Sequence, residues 1–175
     1  MIGFGGLEES LLGRTDVYIT DTGNKRVVVF SSDGKYLYTF DSTGDGQLDE
    51  PVGISAGPDG QIYVADTWNS RIAVFTADGK YVRNWPVQGW TGNSVENKPY
   101  LAIDGQGQVY VSDPEGYRVI VFSTSGTPLA VFGQYGMEED SFALPLGLAT
   151  GLAGDLWVVD SENNRASQYP TNDIK

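Results

Sequence analysis

Four copies of one segment, repeated at an almost constant interval, constrain this chain more than any other feature of its sequence. The copies begin at Val17, Ile62, Val109 and Leu156, so successive starts are 45, 47 and 47 residues apart. They read VYITDTGNKRVVVF, IYVADTWNSRIAVF, VYVSDPEGYRVIVF and LWVVDSENNRASQY. A period this constant over most of a chain is typical of a protein that stacks copies of one structural unit. We therefore expect residues 1–175 to form a single repeat domain.

Each copy has the pattern of a β-hairpin. A β-branched and aromatic run is followed by a polar Asp-x-x-Asn/Gly-x-Arg turn and then by a second apolar run. The second run ends in Asp-Gly or Ser-Gly, which supplies the positive φ of a tight turn, and a third run such as YLYTF, YVRNW or PLAVF follows. An inner strand is predicted to begin at Pro51, Pro99 and Pro145, because proline suits the first residue of a strand. The unit predicted is four antiparallel strands without helices, which matches a β-propeller blade.

Several of these motifs resemble NHL repeats. The resemblance is carried by DTGNKRV, DTWNSRI, PVGIS and the link FDSTGDGQLDEP, and it extends over residues 16 to 170. Two copies depart from the pattern: Gly116 replaces the usual Asn in the third, and the fourth has Ala166 and Ser167 where the others carry an apolar pair. The resemblance implies an all-β fold, a propeller of four-stranded antiparallel blades.

The number of blades does not fit a complete ring of the usual kind. NHL-like propellers commonly have six blades, which need about 280 residues at this period. The first copy lacks a proline-led inner strand, and the last ends at TNDIK before an outermost strand. In one alternative the amino terminus closes a small ring, because MIGFGG resembles that missing outer strand. In another, two chains associate through open blade edges. We favour an arc of a larger, six-bladed-type ring.

Composition excludes several classes of function. The net charge of −12 and the sequence pI near 4.2 oppose binding to nucleic acid or anionic lipid. The absence of His and Cys excludes Ser-His-Asp and Cys-His catalysis and zinc–cysteine sites.

No apolar run reaches the roughly 20 residues of a membrane span. The amino terminus lacks the order of a signal peptide. The compartment stays undecided, with an extracytoplasmic location the favoured expectation.

The Asp and Arg of the repeated turn are predicted to serve the blade and not a ligand. An Asp in such a turn can accept N–H bonds while the Arg makes a charge-assisted contact with it. Because the pair recurs in every copy, a structural role is the simpler interpretation. The pairs are Asp21/Arg26, Asp66/Arg71, Asp113/Arg118 and Asp160/Arg165.

A binding site is expected where the copies differ, on the loops of one face. Those loops and links carry aromatic residues within an acidic rim, which suits a protein, peptide, sugar or cationic partner. The alternative is that the aromatics pack between blades, as is expected for Trp85 and Trp157 within strands. The candidate ligand-binding residues are Trp68, Trp90, Tyr117, Tyr135, Glu138 and Glu162, with Asp45, Asp49, Glu96, Glu139 and Asp140 completing the rim.

The link after the first copy partly imitates a calcium loop. Asp41, Asp45 and Asp49 place oxygen ligands at positions one, five and nine, and Gly46 stands at position six. Position twelve is Val52, so the bidentate Glu of such a loop is missing. The same residues also fit an ordinary NHL link. Calcium is therefore a possible cofactor and no other cofactor is indicated.

Two function classes follow from these observations. The first is a noncatalytic binding or scaffold propeller, of the kind found in bacterial multidomain or exported proteins, that holds a protein, peptide or carbohydrate partner on its loop face. The alternative rests on the resemblance, because related propellers include calcium-dependent lactonases or esterases and lyases. No spacing of Lys, Tyr or carboxylates singles out a catalytic residue, so none is assigned.

Overall fold

The computed structural model describes residues 16–90, 97–171 and 174, and these are almost entirely strands and turns. Four antiparallel sheets follow one another along the chain. Sheet 1 contains β1 (Val17–Asp21), β2 (Arg26–Phe30) and β3 (Tyr36–Phe40), and a small hairpin of β4 (Ser42–Thr43) and β5 (Gly46–Gln47) follows it. Sheet 2 contains β6 (Pro51–Ala56), β7 (Ile62–Asp66), β8 (Arg71–Phe75) and β9 (Tyr81–Pro86). Sheet 3 contains β10 (Leu101–Ile103), β11 (Gln108–Asp113), β12 (Arg118–Ser123) and β13 (Pro128–Phe132). Sheet 4 contains β14 (Pro145–Thr150), β15 (Asp155–Asp160) and β16 (Arg165–Pro170).

The predicted unit of four strands is confirmed in sheets 2 and 3, where sequential strands are neighbours. Within the described residues, sheet 1 has no inner strand and sheet 4 has no fourth strand, as the sequence led us to expect. The inner strands of sheets 2 and 4 begin at the predicted prolines, Pro51 and Pro145, but that of sheet 3 begins at Leu101, two residues after Pro99. MIGFGG lies outside the described residues.

The hairpin turns have the geometry that their sequences demand. The β2–β3, β8–β9 and β12–β13 turns place Gly34, Gly79 and Gly126 at φ values of 83°, 80° and 85°, a region that only glycine enters without strain. The Asp-x-x-Asn-x-Arg turns of sheets 1 and 2 form one turn of 3-10 helix each, Thr22–Asn24 and Thr67–Asn69. These are the helical elements of the described chain.

The chain divides into two compact units, Met1–Val87 and Gln88–Lys175. In the first unit, Val27 and Val29 of sheet 1 pack on Ile62, Val64 and Phe75 of sheet 2 in one fully buried cluster. The rings of Phe40 and Phe75 lie 4.7 Å apart at its centre. Burying such side chains supplies most of the free energy that holds two sheets together.

The second unit repeats this arrangement with the equivalent residues. Val119 and Val121 of sheet 3 pack on Leu156 and Val158 of sheet 4, with Phe142 from the intervening link. We call the face that contacts the next sheet the forward face, and the face that contacts the preceding sheet the back face. In both units, the forward face of the earlier sheet therefore covers the back face of the later one.

The prediction that Trp85 and Trp157 lie in the core is half correct. Trp85 is buried, but Trp157 is 40% exposed. Trp157 alternates with the buried Leu156 and Val158 along β15, so its side chain is on the forward face of sheet 4. No sheet follows β16 within the described residues.

No helix in the described parts of the chain is long and apolar enough to cross a membrane.

The core packing predicts a strong and local dependence of stability on Phe75. Replacing Phe75 with Ala should lower the free energy of unfolding by about 3–5 kcal/mol, because it opens a cavity between sheets 1 and 2. Val82→Ala, at an exposed position of the adjacent β9, is the matched control and should change it by less than about 0.5 kcal/mol. Urea denaturation followed by tryptophan fluorescence measures both values, and equal effects would contradict the assignment of the core.

Candidate functional site

The repeated Asp and Arg of sheet 2 clamp the link that enters that sheet. Arg71 Nε donates to Asp66 Oδ2 at 2.6 Å, and Asp66 Oδ1 accepts the backbone N–H of Asp49 at 2.6 Å. The rest of the guanidinium reaches back along the link, donating to Asp45 Oδ1 at 2.7 Å and to Thr43 Oγ1 at 3.0 Å. Both Asp66 and Arg71 are buried. A buried carboxylate needs this full set of donors, so the pair fixes the path of residues 43–49.

Sheet 4 holds its own entering link in the same way. Asp160 Oδ1 accepts the backbone N–H groups of Ala143 and Leu144 at 3.0 and 2.9 Å. Arg165 donates to the carbonyl oxygens of Met137 and Glu138, each at 2.8 Å. In the same turn, Asn163 Nδ2 donates to Gly136 O at 2.9 Å. The structural interpretation of the Asp–Arg pair is therefore confirmed in both sheets. This set of contacts is called the link clamp below.

The third copy shows why Gly116 replaces Asn. Arg118 Nε donates to Asp113 Oδ2 at 2.8 Å, as in the other copies. A Cβ at position 116 would lie 2.3 Å from Asp113 Oδ2, and one at Gly89 would lie 2.5 Å from the same atom. The backbone of the entering link thus lies directly against the ion pair, which only glycine permits at that distance.

The three carboxylates of the calcium-like segment each have a different protein partner. Asp41 Oδ1 accepts from Ser42 Oγ at 2.8 Å, and Asp49 pairs with Lys25 Nζ at 2.8 Å. Hydrogen bonds from Asn84 and Thr43, followed by the contact with Arg71, hold the pKa of Asp45 below its ordinary value. Across the described ranges, no group of three or more acidic side chains is arranged to hold a metal ion. Calcium binding in this segment stays a prediction.

The candidate aromatic residues have different surroundings. Trp68 projects from the turn of sheet 2 and is 57% exposed. Trp90 is only 1% exposed, and its Nε1–H donates to Ser112 O at 3.1 Å. The prediction that Trp90 projects from the loop face is therefore wrong, because its indole is enclosed and its polar atom is satisfied within the second unit. Glu96 lies outside the described residues.

Tyr117 and Tyr135 are brought together although they are 18 positions apart in the sequence. Their rings form an edge-to-face pair with centroids 4.9 Å apart. Tyr117 occupies the left-handed position of its turn, at φ 54°, and Tyr135 is 70% exposed. Met137, which the sequence did not single out, lies two residues further along the link and is 79% exposed. The sequence gives only a weak signal for Met137, because it is a single apolar residue before an acidic run.

Acidic residues follow Tyr135 and Met137 in the same link. Glu138, Glu139 and Asp140 follow Met137 directly and are exposed, as is Glu162 in the turn of sheet 4. The link is nevertheless well anchored, because Tyr169 Oη donates to Glu139 O at 3.0 Å in addition to the contacts made by Arg165. We call Tyr117, Tyr135, Met137 and Glu138 the loop patch. Trp68 belongs to the first unit.

Comparison with known protein families identifies the repeat. The sequence model of the NHL repeat matches residues 48–75, which run from the link clamp of sheet 2 through the end of β8. The chain contains an NHL repeat. The same Asp-x-x-Asn-x-Arg hairpin recurs in sheets 1 and 4, and with glycine in place of Asn in sheet 3. The NHL resemblance of the sequence is thereby confirmed. No curated protein sequence matches the chain significantly.

Solved structures of similar fold agree with this assignment. Virginiamycin B lyase from Staphylococcus aureus, in a catalytically inactive variant bound to quinupristin, superposes with a TM-score of 0.65 at 16% identity over 96% of this chain and 54% of its own. A second structure of this S. aureus lyase gives a TM-score of 0.63 at 17% identity, over 89% of this chain and 52% of its own. A nidogen/laminin complex gives a TM-score of 0.65 at 23% identity, over 92% and 57%. At such identities the likeness shows the NHL-type propeller fold, and the chain spans just over half the length of these structures.

The link clamp makes a specific prediction about stability. Arg71→Met should lower the free energy of unfolding by about 3–5 kcal/mol, because it leaves the buried Asp66 carboxylate without its cation. Arg26→Met is the matched control, since it removes the same contact in sheet 1, where both side chains are substantially exposed, and it should cost no more than about 1 kcal/mol. Thermal and urea unfolding of both variants measure the difference. Equal losses would show that burial does not govern the clamp.

Proposed function

We propose that this chain is a noncatalytic binding module whose loop patch holds a protein or peptide partner. The observation that carries the proposal is the Tyr117–Tyr135 pair, presented beside the exposed Met137 on a link whose backbone is fixed by Arg165 and Asn163. Large aromatic side chains and methionine are enriched at protein interfaces, where they bury much apolar area. A carbohydrate could also stack on such rings, so it is kept as an outcome of the test.

The anchoring of the link favours binding because it reduces the entropy lost on association. A mobile loop must be ordered when a partner docks, which costs binding free energy for each immobilised side chain. Here, the carbonyl oxygens of Gly136, Met137 and Glu138 already accept hydrogen bonds from sheet 4. The residues that vary between copies are therefore presented by a backbone that the constant residues hold in place.

The charge around the loop patch indicates the chemistry of the partner. Glu138, Glu139 and Asp140 follow Tyr135 and Met137 in the same link and are exposed, as is Glu162 in the turn of sheet 4, and the whole chain carries a net charge of −12. A segment with Lys or Arg next to an apolar anchor would gain both ion pairing and cation–π contact. An anionic partner would be repelled.

The comparisons support a protein partner more than an enzymatic activity. One neighbour is a nidogen structure solved in complex with laminin. The lyase structure with quinupristin is a histidine-to-alanine variant described as catalytically inactive, and this chain contains no histidine. Within the part of the chain that the structure describes, the geometry does not favour a calcium-dependent lactonase or esterase either, since the three candidate carboxylates each have a different partner. We therefore put forward no second function.

A binding screen tests the proposal directly. The fluorescently labelled chain is applied to arrays of peptides and of glycans, with peptides that place Lys or Arg beside an aliphatic or aromatic residue as the principal probes. We expect binding to such peptides, and Tyr135→Ala should weaken it by about tenfold or more, as for an interface hot spot. Raising the salt concentration should also weaken it, because the contributing charges are exposed.

Two matched variants control this experiment. Leu152→Ala removes a fully exposed apolar side chain elsewhere in the second unit, and it should leave binding unchanged. Trp68→Ala reports on the exposed aromatic of the other unit and should likewise have little effect. Peptide binding that survives a combined Tyr135→Ala and Met137→Ala change would rule out the loop patch, and binding to glycans alone would replace the protein partner with a carbohydrate.

A further inference from the structure

The outermost strand of sheet 3 has no charged side chain. β13 is the fourth strand of that sheet and pairs with β12 on one side, and the described residues place no strand on its other side. An outer strand of this kind presents alternate backbone N–H and C=O groups that the sheet does not use. None of residues 119–137, which include all of β13, carries a charge. The strand is therefore a template for further pairing that its own side chains do not oppose.

The equivalent strand of sheet 2 is protected in the ways that natural edge strands commonly are. β9 carries the charged Arg83, and its Asn84 donates through Nδ2 to Asp45 Oδ2 of the entering link at 3.1 Å. A charged side chain and a covering link both discourage the addition of another strand. The register of the two sheets puts Ala130 and Val131 of β13 at the positions of that Arg and Asn. The side chains that protect β9 thus have no equivalent in β13.

Two exposed apolar side chains of β13 would add contacts to such pairing. Ala130 and Phe132 pack against the core of the second unit. Leu129 and Val131 alternate with them, so they lie on the opposite face of the strand, where they are 50% and 52% exposed. Side chains of an added strand would cover them on that face, as cross-strand neighbours do within a sheet.

We propose that the partner of the loop patch is an extended peptide segment that adds to β13 as an antiparallel strand and reaches the patch with a cationic residue. This inference rests on the proposed function and specifies the form of its partner. In this mode of recognition, main-chain hydrogen bonds supply affinity and alternate side chains supply specificity. The antiparallel direction is chosen because such pairs are the more stable per residue.

Continuity of the chain and complementary charge identify this occupant. β13 ends at Phe132, and Tyr135 follows three residues later, a distance of at most about 11 Å. A segment paired with β13 therefore needs only a few further residues to contact the loop patch. Glu138, Glu139 and Asp140 come next and are exposed, so the segment should be apolar along β13 and cationic beyond it. A second copy of the chain fits less well, because its net charge of −12 is repelled.

Peptides methylated at alternate backbone nitrogens test strand addition. The probe is a short peptide of alternating Val and Thr preceded by a pair of Lys residues, which antiparallel pairing brings to the loop patch. An added strand donates only alternate N–H groups to β13. N-methylation of one set of residues should therefore weaken binding by about tenfold or more, and methylation of the other set should change it little. Isothermal titration calorimetry with the whole chain compares the two methylated peptides and the unmethylated one.

Substitutions in β13 provide a second measurement. Leu129→Thr and Val131→Thr, combined in one variant, keep residues that favour strands but remove the apolar contact. The variant should bind the unmethylated peptide about fivefold or more weakly. Both positions are exposed, so circular dichroism should show a folded chain. Val82→Thr changes the equivalent exposed position of β9; it is the matched control and should bind like the unmodified chain.

The outcomes separate strand addition from the proposed function. Equal binding of the two methylated peptides, or no effect of the β13 substitutions, would overturn strand addition, while weaker binding by Tyr135→Ala would still support the loop patch. Strand addition that Tyr135→Ala leaves at full strength would instead contradict the loop patch. No binding of the unmethylated peptide would overturn the inference. Self-association that the β13 substitutions abolish would also overturn it, by assigning the edge of β13 to a second copy.

Discussion

The covering of one sheet face by the next is the interaction on which the rest of this structure depends. Each sheet has apolar side chains on both of its faces, so it cannot shield them alone. Val27, Val29 and Phe40 of sheet 1 become fully or nearly fully buried only because Val64 and Phe75 lie opposite them. The same arrangement in the second unit, built from equivalent residues, is what makes a repeated sequence into a repeated fold.

The link clamp uses the constant residues to hold the variable ones. Asp66 and Arg71 bind the backbone and side chains of the preceding link, and Asp160 and Arg165 do the same in sheet 4. A charged pair that is repeated in every copy therefore needs no ligand to explain it. The same pair supplies rigid links, on which residues such as Tyr135 can change from copy to copy without loss of the fold.

Electrostatics limits which partner the loop patch would hold. The link that carries the patch continues into Glu138, Glu139 and Asp140, all exposed, and the chain has a net charge of −12. The proposed contact would therefore attract a cationic segment and repel an anionic one, and screening by salt would weaken it.

The amino-acid sequence alone determined the strands, the turns and the role of the repeated charges. Runs of β-branched and aromatic residues predicted β7 and β8, Asp-Gly predicted the turn at Gly79, and the recurrence of Asp66 and Arg71 predicted a structural pair, because each of these depends on nearby residues. The proline rule was accurate for Pro51 and Pro145 but missed the start of β10 by two residues.

Only the tertiary structure decided which aromatic side chains are covered. Trp90 lies in a link and was expected to project, whereas Trp157 lies in a strand and was expected to be buried. The structure reverses both: Trp90 is enclosed against Ser112, and Trp157 is exposed on sheet 4. The pairing of Tyr117 with Tyr135, and the exposure of Met137 beside them, likewise depend on how a distant link is held. Burial is set by what lies opposite a side chain, and a strand pattern contains no information about the sheet that it will face.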